Sequence, residues 1–208
     1  QPEHVSIYPL ELEEGTPLHQ AVLRGAETVP QEEDVVEMWE AALDILGSSG
    51  YEQYEISNYA RPGRRCQHNL IYWLNDDYAG LGAGASSHLD GRRHCNVRLP
   101  AVYCGLVEAG GNPVETEEPR SAETEMVDTA IMGLRLIEGL SLGRFRKRFG
   151  YDLFEAFPGV VERLVEQGLL FKVDGAVRLT RKGLFLANVV FGEFVGGCKP
   201  PDTPSTYR

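Results

Sequence analysis

Arg64-Arg65-Cys66-Gln67-His68-Asn69-Leu70-Ile71-Tyr72-Trp73 is the stretch on which the reading of this chain turns, with Gly80-Leu81-Gly82-Ala83-Gly84-Ala85-Ser86-Ser87 just behind it. Two arginines, a cysteine, a histidine, two amides and two aromatics crowd together there. Ligand pockets combine aromatic walls with a few polar groups, and a plain core does not. Upstream, His4-Val5-Ser6-Ile7-Tyr8 alternates like a strand that Pro9 ends. Pro30 then opens a helix with Glu32, Glu33 and Asp34 in its first turns, where acids complement the helix dipole. Tyr51 to Tyr59 alternates again, with Tyr54, Ile56 and Asn58 on one face. Strand, helix, strand predicts a parallel sheet, and ligands gather beyond the carboxyl ends of such strands. The quoted stretch follows the second strand directly, where that architecture puts a site.

His68 has three open roles: a structural histidine, a general base or a metal ligand. Asn69 and Tyr72 stand near it in sequence as partners able to fix its tautomer, which metal-ligating histidines require. A porphyrin iron needs one axial histidine. Zinc needs three or four protein ligands, and His88, His94 and Cys95 are the available companions, although no tight spacing joins them. The glycine run has neither the dinucleotide fingerprint nor the Gly-Lys-Ser/Thr ending of a phosphate loop. It is a tight turn, or backbone brought close to a flat ligand.

Composition bounds the rest. With 208 residues, 42% hydrophobic and 25% charged, the chain supports one or two domains with real cores. A net charge of −11 opposes a general nucleic-acid binder, because phosphate neutralisation needs a surplus of Lys and Arg. Six arginines (Arg61, Arg64, Arg65, Arg92, Arg93 and Arg98) nevertheless flank the quoted stretch and its glycine loop, as a solvated surface or as a rim for a ligand's carboxylates. The four cysteines, Cys66, Cys95, Cys104 and Cys198, have no C-x-x-C spacing, which excludes a zinc ribbon, covalent haem attachment and a compact iron–sulfur loop within this sequence. No apolar run is long enough for a membrane span and no leader precedes the first strand, so a soluble cytoplasmic protein with reduced thiols is expected. The abrupt opening on a strand predicts a piece of something longer.

Glu108 to Arg120 turns to Gly, Pro and acids and is the expected domain boundary, dividing 1–114 from 115–195. Beyond it, Ser121 caps a helix with Val127, Ile131, Leu134 and Ile137 on one side, and Ser141 caps another that Gly150 ends. A third helix stops at Gly168, Asp174-Gly175 joins a hairpin, and Thr180 caps a last helix through about Phe194. Residues 196–208 are the expected disordered tail. Three helices and a hairpin make a winged-helix-like module, whose usual reading is DNA binding. Glu162 and Glu166 beside a lone Arg163 on its third helix oppose that reading.

Tyr54-Glu55-Ile56-Ser57-Asn58-Tyr59-Ala60, Cys66-Gln67-His68-Asn69-Leu70-Ile71-Tyr72-Trp73, Gly80-Leu81-Gly82-Ala83-Gly84-Ala85 and Leu179-Thr180-x-x-Gly183 closely resemble the HemW family, haem chaperones related to oxygen-independent coproporphyrinogen III oxidase. The opening Ser6-Ile7-Tyr8-Pro9-Leu10 fits as well. The resemblance implies the C-terminal part of a radical S-adenosylmethionine partial (β/α)6 barrel followed by the family's helical C-terminal domain, an α/β part plus an α+β part. It implies haem on the H-N-x-x-Y motif, matched by His68, Asn69 and Tyr72, with His68 as axial ligand and haem-dependent proteins as acceptors. Arg64 and Arg65 are our own candidates for the propionates. By analogy with the fold, Tyr8, Pro9, Leu10, Gly82, Gly84, Ala85 and Ser86 border a pocket for S-adenosylmethionine. The family's C-x-x-x-C-x-x-C loop for a [4Fe–4S] cluster has no counterpart here, so cluster and S-adenosylmethionine chemistry are expected of a longer protein only. Two other functions compete: coproporphyrinogen oxidation and winged-helix DNA binding.

Overall fold

A computed structural model of the chain describes residues 1–199, and its contacts divide it into two compact units, Gln1–Cys66 and the part from Gln67 onward. The first unit contains β1 (His4–Ser6), α1 (Pro17–Leu23), α2 (Glu32–Ser48), β2 (Glu52–Gln53) and β3 (Asn58–Ala60). Thr16 caps α1, with Pro17 in the first turn where its missing N–H is not needed. Asp34 accepts from the Gln31 N–H at 3.2 Å and fixes the start of α2.

The parallel sheet expected from the strand, helix, strand rhythm does not form. β3 lies between β1 and β2 and is antiparallel to both, so β1 and β2 run the same way without touching. Tyr51 to Tyr59 is not one strand either. Glu55 Oε1 accepts from the Ser57 N–H at 2.7 Å and from the Asn58 amide at 2.6 Å, and this carboxylate-held turn reverses the chain inside the alternating run. The alternation of Tyr54, Ile56 and Asn58 therefore marks a hairpin, not the face of a strand.

The second unit opens with α3 (Gln67–Trp73), β4 (Ser86–Leu89), β5 (Arg92–Asn96), α4 (Pro100–Glu108), β6 (Val114–Pro119) and α5 (Ala122–Arg135). β4, β5 and β6 form an antiparallel sheet in that order. The stretch expected as a domain boundary carries β6, an edge strand whose exposed acids Glu115, Glu117 and Glu118 discourage further pairing. Then come β7 (Leu140–Ser141), α6 (Leu142–Phe149), α7 (Leu153–Ala156), α8 (Val160–Glu166), β8 (Leu170–Val173), β9 (Ala176–Leu179), α9 (Arg181–Phe185) and α10 (Ala187–Gly197), with a third sheet ordered β7-β9-β8.

Here the local readings hold well. Ser121, Ser141 and Thr180 cap α5, α6 and α9, Gly150 ends α6 in the left-handed region, and Asp174-Gly175 joins β8 to β9. Gly183 has a packing reason, since a Cβ there would lie 2.0 Å from the Leu169 carbonyl oxygen. Two details differ. The inward face of α5 is Met126, Ala130 and Leu134, while Val127 and Ile131 are half-buried and Ile137 lies past the helix, because the polar Glu125 and Thr129 turn inward too. Leu186 breaks the last helix into α9 and α10, and α10 runs through Gly196 and Gly197; of the expected tail, 200–208 lies outside the described residues. Phe145, Phe149, Phe157 and Phe194 fill the core, with ring centroids 4.7 Å apart for the first pair and 5.0 Å for the last. Each such ring contributes roughly 1.5–3 kcal/mol by leaving water. Among the described residues no helix is long and apolar enough to cross a membrane.

Candidate functional site

His68 and Tyr72 lie one turn apart on α3, so their side chains meet. Tyr72 Oη and His68 Nε2 are 2.7 Å apart, and the rings meet edge to face at 4.7 Å. His68 is exposed, while Asn69 and Tyr72 are half-buried. When the His68 Nε2–H donates to the phenol, the imidazole is held in orientation and Nδ1 is the nitrogen left for an iron, the arrangement in which metal-ligating histidines are found.

Behind this pair the structure adds Tyr78, Asn75 and Glu125, which the sequence did not single out, and gives His88 a role other than the zinc ligand it was weighed as. Tyr72 meets Tyr78 edge to face at 4.6 Å. The backbone of Tyr78 pairs with that of His88 in both directions, at 2.8 and 2.9 Å. His88 is buried, with Nε2 3.1 Å from Glu125 Oε1. The buried Glu125 accepts further from Arg148 at 2.8 Å and from the Asn75 amide at 3.2 Å. A glutamate turned to the inward face of an amphipathic helix needs such partners, which was the available sequence signal.

The other expected site residues fall differently. Arg64 faces Glu3 at 3.4 Å in an exposed pair, and the half-buried Arg65 faces Glu52 at 4.0 Å, both pairs within the first unit. Tyr8, Pro9 and Leu10 follow β1 and are exposed. The glycine loop is a turn tied to β5 and α4: the Gly80 N–H donates to Ser87 at 2.9 Å, Gly82 donates to the Tyr103 phenol at 3.1 Å, and Asn96 donates to the Gly82 carbonyl at 3.0 Å. A Cβ on Gly80 would lie 2.2 Å from the Ser86 carbonyl oxygen, which accounts for that glycine without a ligand. Ala85 and Ser86 lead from the loop into β4. A cavity of about 260 Å³ opens beside Tyr78, lined also by Ser86, Arg93, His94, Cys95, Thr116 and Glu118.

The zinc alternative loses its ligands. His88 is committed to Glu125, and no group of three His, Cys, Asp or Glu able to hold a metal occurs among the described residues. The four free cysteines likewise do not fit a [4Fe–4S] cluster. Cys198 is further removed from thiolate chemistry, because burial, and then the charge of Glu123, push its thiol up to about 11.

Residues 121–186, from the cap of α5 to the break after α9, match the family profile described as the HemN C-terminal domain. The chain is 37% identical over 93% of its length to "Heme chaperone HemW" of Bacillus subtilis (strain 168), covering 51% of that protein. It is 40% identical over 93% of its length to "Heme chaperone HemW" of Escherichia coli (strain K12), covering 50% of it. A mitochondrial "Radical S-adenosyl methionine domain-containing protein 1" of Bos taurus is 32% identical over 88% of the chain. Among solved structures, coproporphyrinogen III oxidase (HemN) from Escherichia coli, a radical SAM enzyme, superposes on 93% of this chain and 48% of its own with a TM-score of 0.68 at 17% identity, a likeness of fold. The chain thus spans about half the length of the curated relatives it matches. Across that span its sequence resembles the HemW haem chaperones, and over residues 121–186 the HemN C-terminal domain.

Proposed function

We propose that this chain carries the haem-binding part of a haem chaperone of the radical S-adenosylmethionine class, which binds haem without a covalent bond and delivers it to haem-dependent proteins of the cytoplasm or at a membrane surface. The observation that carries the reading is the exposed His68 on α3, hydrogen-bonded to Tyr72 at 2.7 Å within a match to H-N-x-x-Y. One histidine suffices for a porphyrin iron, whose other ligands are its own nitrogens. The cavity beside Tyr78 falls below the roughly 300–1,000 Å³ of pockets that enclose a ligand. Haem on an exposed imidazole stays accessible to an acceptor, and accessibility suits transfer. Arg64 and Arg65 remain candidates for the propionates; the exposed pair of Arg64 with Glu3 is worth only about 0–1 kcal/mol and exchanges partners cheaply.

The same reading treats 1–114 as the C-terminal part of a partial (β/α)6 barrel and 115–195 as a winged-helix-like domain. The profile match at 121–186, and the sheet in which β7 joins the hairpin β8-β9, support that division. Tyr8, Pro9, Leu10, Gly82, Gly84, Ala85 and Ser86 would border an S-adenosylmethionine pocket in the whole protein. The fold likeness to coproporphyrinogen III oxidase favours a second reading, oxidative decarboxylation of a porphyrinogen. DNA binding draws no support from α8, where Arg163 is paired with Glu193 and Glu162 with Lys172.

A haemin titration followed by absorbance tests the proposal. Saturable binding with a Soret shift that His68→Ala abolishes is the expected outcome. Equal spectra for the two proteins would remove His68 as ligand and return attention to the oxidase reading.

A further inference from the structure

α3 has only two turns, and a helix that short is marginal unless its ends are held. Its C-terminal end is held unusually well. The Asn75 N–H donates to the Tyr72 carbonyl at 2.9 Å and the Asp76 N–H donates to the Ile71 carbonyl at 2.9 Å, the paired bonds of a Schellman cap. Asn75 takes the left-handed conformation that the cap requires, with φ of 50°. Glycine would serve that purpose alone. Asn75, however, is only 5% exposed, and its side-chain amide donates to Thr129 Oγ1 at 3.0 Å and to Glu125 Oε2 at 3.2 Å on α5. Its carbonyl accepts from Arg148 on α6, which also holds Glu125 at 2.8 Å. On the neighbouring residues, Arg144 pairs with Asp76, and the Arg135 guanidinium lies 4.4 Å from the centre of the Trp73 ring.

These contacts all act on the last turn of α3, whose carbonyls at Ile71 and Tyr72 close the cap. Tyr72 is thus both a member of the cap and the hydrogen-bond partner of His68. We propose that Asn75, gripped by Glu125, Thr129 and Arg148, is a positioning residue that sets the orientation of the His68–Tyr72 pair, so that the segment matching the HemN C-terminal domain is the mount of the haem ligand. The consequence for haem rests on the reading of His68 as its ligand. The orientation of His68 does not, and can be measured without haem.

Two variants separate the grip from the cap. Asn75→Gly keeps the left-handed turn and deletes both side-chain bonds. Thr129→Val keeps the shape and deletes one of them, and it serves if the glycine variant folds poorly. In haem-free protein labelled with 15N, the His68 ring-nitrogen resonances are expected to move from those of a hydrogen-bonded imidazole toward free-histidine values, further in Asn75→Gly than in Thr129→Val. Haemin affinity is expected to fall about tenfold in the first variant and about threefold in the second, the scale of two buried hydrogen bonds and of one. Imidazole resonances unchanged in both variants overturn the proposal, as does a shifted imidazole with haemin affinity unchanged. If the unsubstituted protein binds no haemin, the haem reading fails by itself, and the imidazole resonances alone decide whether Asn75 positions His68.

Discussion

Each of the two units buries a glutamate beside an asparagine, and the two pairs differ in reach. Glu55 is fully buried and accepts from Ser57 and Asn58, two and three residues further along the chain. Glu125 is 7% exposed and meets His88, Asn75 and Arg148, which lie 37, 50 and 23 residues away, besides the nearby Arg120 at 3.8 Å. The first carboxylate shapes a turn. The second ties α3, the β4-β5-β6 sheet, α5 and α6 to one another around the residues nearest His68. A buried carboxylate with local partners fixes backbone conformation, whereas one with distant partners fixes how elements pack.

The comparison predicts unequal costs. Glu125→Ala leaves Arg148, His88 and the Asn75 amide without their shared acceptor, and loss of one partner from a buried ionic group costs about 3 kcal/mol or more. Glu55→Ala frees one backbone N–H and one amide, at roughly 1–3 kcal/mol. Trp39 lies in the first unit and Trp73 in the second, so 5-fluorotryptophan gives each its own 19F resonance in a urea titration. The Trp73 transition should move most in Glu125→Ala, and the Trp39 transition should move less in Glu55→Ala. Equal shifts would break the distinction between local and long-range carboxylates.

The same distinction explains what could be read in advance. The caps at Ser121, Ser141 and Thr180 and the Asp174-Gly175 turn are set by partners within a few residues, and each was legible. Tyr72 was legible as a partner of His68 from their closeness in sequence, although α3, whose spacing brings them together, was not read as a helix. The antiparallel order of β1, β3 and β2 was not, since alternation in Tyr51 to Tyr59 does not reveal that Glu55 bends the chain midway. β6 was missed for a related reason: an edge strand exposed on nearly every residue has the composition of a linker. Asn75 and Glu125 stayed hidden, and His88 was weighed only as a zinc ligand, because their roles depend on partners dozens of residues away, and neither periodicity nor local motif encodes such pairings.

Alkaline pH sharpens the comparison from a different side, with the smallest expected effect. Tyr59, in the first unit, has its phenol raised from 10.0 to about 12, by burial first and then by the charge of Glu55, against a hydrogen bond from Trp39 that works the other way. The folded state therefore keeps this proton after the unfolded state has lost it. Stability from this source is complete below pH 10 and is lost as pH rises from 10 to about 12. In the second unit, the Cys198 thiol is raised from 9.0 to about 11, which puts the corresponding loss between pH 9 and 11 and makes it weaker, because this thiol is only half-buried. Tyr59→Phe should flatten the alkaline fall seen at Trp39 and leave that at Trp73 in place, while Cys198→Ser should do the converse. Glu55→Gln should reduce the Tyr59 slope without removing it, because burial is the larger cause and the charge the smaller. A slope at Trp39 that Glu55→Gln abolishes entirely would reverse that order, and would make the local carboxylate, not the packing around the ring, the reason this tyrosine holds its proton.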